Sequence, residues 1–350
     1  MIYPWNFIYW ERFLGLIPKL PHAVLLHGPK GTGKLEFARS AAAVLLCNAP
    51  AMRGGRPEAC GICPSCLLYA SGNHPDFFTV QPEADTADGE EGLEDAQATS
   101  DKRKKPSTQI KIGQIRDVVG NIQSGTHQGG RRVILVAPAE AMNSATANAL
   151  LKTLEEPPSQ TVILLVSNEP ERLLPTIRSR CQAIGFAEPD RQSCVRWLKE
   201  KGIEDADARL ALFGGSPLAA LDSAEHGASP DLRTLADRFV STEDALSCAD
   251  ALGSAEPPAA VDWLQRWTTD LVLFRLTGRV RYHPGFEAAL IPVAQAASVR
   301  PMLHFLRVLA EYRRIARHPV NARLYMERLA LDYFEAVRAT PESGKSNHTN

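Results

Sequence analysis

Residues 23–35 read AVLLHGPKGTGKL, and this stretch decides the fold. Its first five residues, Ala23–His27, are an apolar run ending at a glycine, the pattern of a buried strand feeding a Gly-rich turn. Residues 34–47 follow with Leu35, Ala38, Ala42 and Leu45/Leu46 at helical spacing. Between strand and helix, Gly28–Lys34 matches the first seven positions of the phosphate-loop pattern G-x-x-x-x-G-K-[ST]. Glycines let backbone N–H groups turn inward around phosphate oxygens, the helix N-terminus adds a positive field, and the lysine reaches the β and γ oxygens. Gly28, Lys30, Gly31, Thr32, Gly33 and Lys34 are therefore the candidate residues for binding ATP or ADP. The eighth position is Leu35, which cannot supply the hydroxyl that ligates Mg²⁺. Thr32 lies inside the loop and is no usual substitute. The nest can hold phosphate while the metal that hydrolysis needs lacks a protein ligand.

Working outward, residues 77–81 (FFTVQ), 133–136 (VILV) and 162–166 (VILLV) read as strands, the last two buried. Residues 110–122 and 144–156 read as helices, the second stopping before Pro157-Pro158. Near-continuously apolar strands alternating with helices predict a parallel sheet covered on both faces. The strand at 133–136 runs into Ala137-Pro138-Ala139, where an acid for Mg²⁺ and water would be needed. Glu140 is the nearest carboxylate, and at about 3.3 Å per extended residue it is expected to lie far from the phosphates. Residues 82–108 carry seven carboxylates between Glu83 and Asp95 and then the basic run Lys102–Lys105, which reads as a solvated, mobile loop rather than a nuclear-import signal. After Phe186 the texture changes to short helices broken at Gly214-Gly215 and Pro217. From residue 230 to 338 it is helix after helix, and a polar tail from 339 to 350 is expected to be disordered. Boundaries fall near 187 and 229.

A chain of 350 residues predicts two or three domains. With 39 Lys+Arg against 40 Asp+Glu, a whole-chain basic footprint is excluded, and nucleic-acid contact must come from a local patch or an assembly. No apolar run approaches the ~20 residues of a membrane span, and the N-terminus lacks the pattern of a secretory signal, so the cytoplasm is expected. Of the seven cysteines, Cys47, Cys60, Cys63 and Cys66 cluster, whereas Cys181, Cys194 and Cys248 are scattered. The C-x₂-C-x₂-C run Cys60–Cys66, with Cys47 at the end of the phosphate-loop helix, predicts a closed structural Zn²⁺ site with no open position for water. Such binding can contribute roughly 10–16 kcal/mol to folding a small module, which matters here because residues 48–59 (NAPAMRGGRPEA) have almost no apolar content to hold themselves in place. An iron–sulfur cluster, redox thiols and a DNA-reading finger are the alternatives. The stretch after Cys66 (LLYASGNHPDF) carries no Lys or Arg, which argues against the finger, and His74 reads as structural.

Asn148–Pro158 (NALLKTLEEPP) and Ser179-Arg180-Cys181, together with Tyr3-Pro4-Trp5 and His74-Pro75-Asp76, resemble the clamp-loader branch of the AAA+ ATPases, as in bacterial DNA polymerase III. The resemblance covers roughly residues 1–225 and weakens over the C-terminal helices, where Asn321, Leu324 and Glu327 still look similar. It implies an α/β AAA+ P-loop domain over 1–187 with an inserted zinc module (47–66), a small helical lid domain over 188–229, and an all-α collar over 230–338. It also implies partners: motor subunits of the gamma/tau type and a delta subunit in a hetero-pentamer, and through that complex a sliding clamp and primer–template DNA. The family divides into motors that hydrolyse ATP and subunits whose own site is disabled. This chain departs from the motor pattern at Leu35, at Ala137 and Pro138 where a motor carries Asp-Glu, and at Leu218 where a motor carries a sensing arginine; Ser167-Asn168 keeps the polar sensor position. By resemblance Arg180 is retained, pointing into a neighbour's ATP site as a trans-acting finger. The non-motor reading is the expectation, a subunit of the polymerase holoenzyme without ATPase activity of its own. A competent P-loop motor of the same loader is its rival.

Overall fold

The computed structural model describes residues 2–53, 56–86, 107–121, 130–225, 232–241, 244–316 and 320–338. Most of the loop predicted over 82–108 and the whole tail from 339 lie outside them. The chain divides into two compact units, Met1–Asp190 and Arg191–Asn350.

The first unit is built on seven strands: β1 (Ala23–His27), β2 (Ala51–Arg53), β3 (Arg56–Glu58), β4 (Phe77–Val80), β5 (Arg132–Val136), β6 (Thr161–Ser167) and β7 (Gln182–Gly185). Five form one sheet in the order β4-β5-β6-β1-β7, every pairing parallel. The apolar runs are continuous because both faces are covered. Val24, Leu26, Val133, Leu135, Val162, Leu164 and Val166 face a layer formed by the helices Phe7–Leu16 and Lys34–Leu46, with Phe13 and Phe37 fully buried in it. The alternate residues Ala23, Leu25, Ile134, Val136, Ile163 and Leu165 face a second layer, to which the helices Ile112–Asn121 and Ser144–Glu155 contribute Ile115, Leu150 and Leu154. The parallel sheet and the three buried strands are as the sequence predicts. β7 was not expected: its Gln182 and Ala183 are exposed, so the four residues show no apolar run. The stretch 48–59, poor in apolar residues, contains the antiparallel pair β2–β3, which was not expected. Glu83–Thr86, inside the segment read as a loop, forms a helical turn whose Glu83 pairs with Lys111.

In the second unit the described residues are helical, from Arg191–Glu200 to Ala322–Arg338, with no strand among them. Its main core sets aromatic rings among leucines and alanines. Trp263 and Trp267, four residues apart on the helix Pro257–Thr277, stack at 5.4 Å, and Trp267 Nε1 donates to the Tyr333 hydroxyl at 3.0 Å. Asp270, fully buried, accepts from the backbone N–H groups of Arg281, Tyr282 and His283 and from His283 Nδ1, which fixes the chain leaving that helix.

Candidate functional site

Chain order is not strand order around β1: the chain passes from β1 to the far edge, steps back through β5 to β6, then crosses to β7 on the other side. Such a reversal leaves a crevice outside the carboxyl ends of the strands, and Gly28–Lys34 emerges there. The loop is tightly held. Gly28 N–H donates to Ser167 O at 3.2 Å, and Phe186 N–H to His27 O at 2.7 Å. Gly28, Gly31 and Gly33 have φ of 145°, 75° and 84°, a region that disfavours side chains. Asn6 Nδ2 and Trp5 Nε1 both donate to Thr32 O, at 2.8 and 3.0 Å, so the N-terminal segment clasps the loop.

Lys34 is 3% exposed, and its ammonium donates to the loop's own carbonyls, Gly28 O at 2.8 Å and Pro29 O at 2.5 Å. Burial pushes its pKa down to about 8, against the opposing pull of Glu140 and Glu36. The expectation that Glu140 lies far away needs correction. The chain does not stay extended after β5 but tightens into a 3₁₀ turn over Ala139–Ala141. This puts the Glu140 carboxylate where it favours the Lys34 charge and accepts from Asn168 N–H and Nδ2, both at 3.0 Å. Asn168, whose position resembles the polar sensor of the family, is thus tied to Glu140. Leu35 packs against the core layer of the first two helices, and Ala137 is 3% exposed at the end of β5. Neither they nor Pro138 present an oxygen-bearing side chain for a metal.

Arg180 follows the short helix Pro175–Arg178. Its Nη2 lies 2.7 Å from Glu155 Oε1 and its Nη1 donates to Thr176 O at 3.1 Å. The side chain is 36% exposed and its partner 51%. An ion pair in such a setting contributes about 0–1 kcal/mol, so the guanidinium is tethered weakly. Glu155 belongs to the NALLKTLEEPP stretch; nothing in the sequence marked it as the partner of Arg180. The signal for Asn6 and Trp5 was equally thin: Tyr3-Pro4-Trp5 stood out only by resemblance, and Asn6 not at all.

The thiols of Cys47, Cys60, Cys63 and Cys66 converge, all four sulfurs within 4.8 Å of one another. Two opposite edges, Cys47–Cys63 and Cys60–Cys66, are each 3.9 Å. A tetrahedron with ~2.3 Å metal–sulfur bonds has edges of about 3.8 Å, so the set fits a four-thiolate metal centre. The backbone N–H groups of Cys60, Cys63 and Cys66 donate to the sulfurs of Cys47, Cys60 and Cys63 at 3.3–3.4 Å, the arrangement that stabilises thiolate. The N–H groups of Ile62 and Cys63 hold the Cys60 thiol below its ordinary range. The cluster could hold a metal ion. It is fastened to the sheet through His74. Asp76 N–H donates to His74 Nδ1 at 3.1 Å, so the proton of the neutral ring sits on Nε2 and points at Ser65 Oγ, 2.7 Å away. Ser65 then donates to Leu46 O at 2.6 Å. Asp76 lies 3.6 Å from Arg132 on β5, both buried. His74 is structural, as expected.

Fold and site define an α/β unit with a phosphate-type loop at the carboxyl ends of its parallel strands and apolar side chains at Leu35 and Ala137. The family described as DNA polymerase III, delta subunit, matches residues 17–190. The chain is 38% identical over 284 residues to the DNA polymerase III subunit delta' of Pseudomonas aeruginosa, covering 79% of each. To the subunit delta' of Escherichia coli it is 33% identical, covering 69% of this chain and 67% of that protein. The DNA polymerase III subunit tau of Bacillus subtilis is 29% identical, over 36% of its length. The chain belongs to the delta-prime family of DNA polymerase III subunits. No helix among the described residues is long and apolar enough to cross a membrane.

Proposed function

We propose that the chain acts as the non-motor subunit of a clamp loader, an architectural member of a pentamer with gamma/tau-type motors and a delta subunit. Its own phosphate loop does not turn over ATP, and Arg180 serves the ATP site of a neighbouring motor. One observation carries the reading: the lysine of an otherwise intact loop is spent on Gly28 O and Pro29 O, while Leu35 and Ala137 occupy the metal-binding positions. Hydrolysis needs Mg²⁺ bridging the β and γ oxygens; Leu35 and Ala137 offer it no oxygen, and the Glu140 carboxylate is engaged by Asn168. Arg180 supports the second half, being solvent-accessible and held by an exposed pair with Glu155 and one backbone carbonyl, Thr176 O, which a phosphate can outcompete. The metal of the four-thiol cluster is zinc in a structural role, because four sulfurs close the coordination shell.

The test is DNA- and clamp-stimulated ATP hydrolysis by a loader reconstituted with this chain, wild type against Arg180→Ala, with assembly checked first. A trans-acting arginine is worth about 10³–10⁵ in rate in well-studied GTPases, so a clear drop is expected. Unchanged turnover in a fully assembled complex would remove the finger from the reading. Hydrolysis by the isolated chain would restore the rival, a competent motor.

A further inference from the structure

We infer that the sheet carries a second anion site, at the end opposite the phosphate loop, shaped for a small phosphomonoester. A cavity of about 460 Å³ opens where the chain enters β1, β5 and β6. That is within the ~300–1,000 Å³ usual for small-molecule sites. Its charged lining residues are Lys19 and Arg131, both cationic, and no carboxylate lines it. Among the described residues Arg131 reaches one distant acceptor, Ile17 O at 3.5 Å, which leaves most of its guanidinium donors unspent on them. The wall also holds unused polar capacity. Thr161 is 4% exposed and its Oγ1 has no hydrogen-bond partner; His22 Nε2, also buried, has none. Lys19 and the largely unspent guanidinium of Arg131 point to an oxyanion as the occupant, and the unpartnered Thr161 and His22 atoms lie in residues of the same wall.

The frame is fixed before any ligand arrives. Ile163 N–H donates to His22 O at 2.8 Å, and Arg132 N–H to Gln160 O at 2.9 Å. Pro21, Pro157 and Pro158 supply rigid apolar sides. A bare phosphate would leave those sides uncovered, so the occupant has an apolar or planar body attached to its phosphate. This site is independent of the proposed role of Arg180 and of the phosphate loop.

Calorimetric titration of the full chain at low salt with AMP and with pyrophosphate tests it, alongside the double variant K19E/R131E and the phosphate-loop variant Lys34→Ala. Saturable binding of AMP is expected in the wild type. It should weaken about tenfold or more on reversing the two charges and persist in Lys34→Ala. Amide chemical shifts serve as the second readout if Lys34→Ala folds poorly: they should move at residues 17–22 and 157–162 rather than at 28–35. Absence of binding at millimolar ligand, binding that K19E/R131E leaves unchanged, or shifts confined to 28–35 would each overturn the inference.

Discussion

Removing the metal from the four-thiol cluster should unfold the module around it and leave the sheet standing. The perturbation is a chelator, or Cys60→Ser as its genetic counterpart. Structural zinc in small modules contributes about 10–16 kcal/mol. Shared evenly over four thiolates this is roughly 2.5–4 kcal/mol each, so Cys60→Ser should weaken metal affinity by about 10²–10³-fold. The module has little else to stand on. Met52, Ile62 and Leu67 are 67%, 82% and 58% exposed, and from 48 to 66 the described residues contribute only Cys66 to the buried apolar set. The sheet core draws its side chains from elsewhere. Elemental analysis of the purified chain should give one zinc per chain, and hydrogen exchange should show residues 56–66 losing protection on chelation while β1, β5 and β6 keep theirs. The reasoning fails if the metal-free chain protects 56–66 as well as the metal-bound one, because hydrophobic packing would then be holding the module. Iron and sulfide in the purified protein would replace zinc with a cluster.

Leu35→Thr alone should leave ATP hydrolysis undetectable in the isolated chain, because Ala137 and Pro138 still offer no acid; measurable turnover from that single change would show the account of the strand end to be wrong. Burial lowers the His74 pKa from 6.5. The unfolded chain therefore takes up the proton first, and this contribution to stability, complete above about pH 6.5, is lost as pH falls through and below it. His74→Gln should remove that share of the pH dependence in chemical denaturation, leaving the share of His27, which burial shifts in the same direction; an unchanged profile would refute the assignment. Tyr333→Phe leaves Trp267 Nε1 buried without its acceptor. It should cost about 1–3 kcal/mol in denaturant unfolding, and a neutral result would mean that the bond contributes nothing net.

Much of the first unit was legible because both physical signals were strong there. β1, β5 and β6 are buried on both faces, so they could only be apolar throughout, and the cysteine spacing admits few readings besides a metal. β7 was illegible for the converse reason: an edge strand with two exposed residues shows neither alternation nor a run. The pair β2–β3 was missed because its residues are held by each other's backbone and by Arg56, which pairs with Glu11 and lies over the Phe7 ring, rather than by an apolar run. Glu140 was misplaced because a count of extended residues assumes the chain keeps its direction, and a 3₁₀ turn changed it. Partners in space, such as Glu155 for Arg180 or Asn6 for Thr32, leave no trace in local pattern at all.

The phosphate loop shows why a motif can be read with assurance and still say little about activity. A Cβ on Gly28 would sit 2.2 Å from Phe186 O, and one on Gly33 would sit 2.4 Å from the Tyr3 ring. Both glycines are therefore demanded by packing within this chain, with or without a nucleotide. Lys34 likewise has a structural occupation, closing the loop onto Gly28 O and Pro29 O. Three of the six candidate binding residues, Gly28, Gly33 and Lys34, thus satisfy the pattern for reasons of fold, while Leu35, where the pattern asks for a hydroxyl, packs into a core instead. A ligand would have to draw Lys34 from two carbonyls before the loop could cradle phosphate. The same sequence pattern is thereby compatible with a working site and with a closed one, and what Leu35 and the strand end at Ala137 and Pro138 offer a metal, rather than the loop itself, tells them apart.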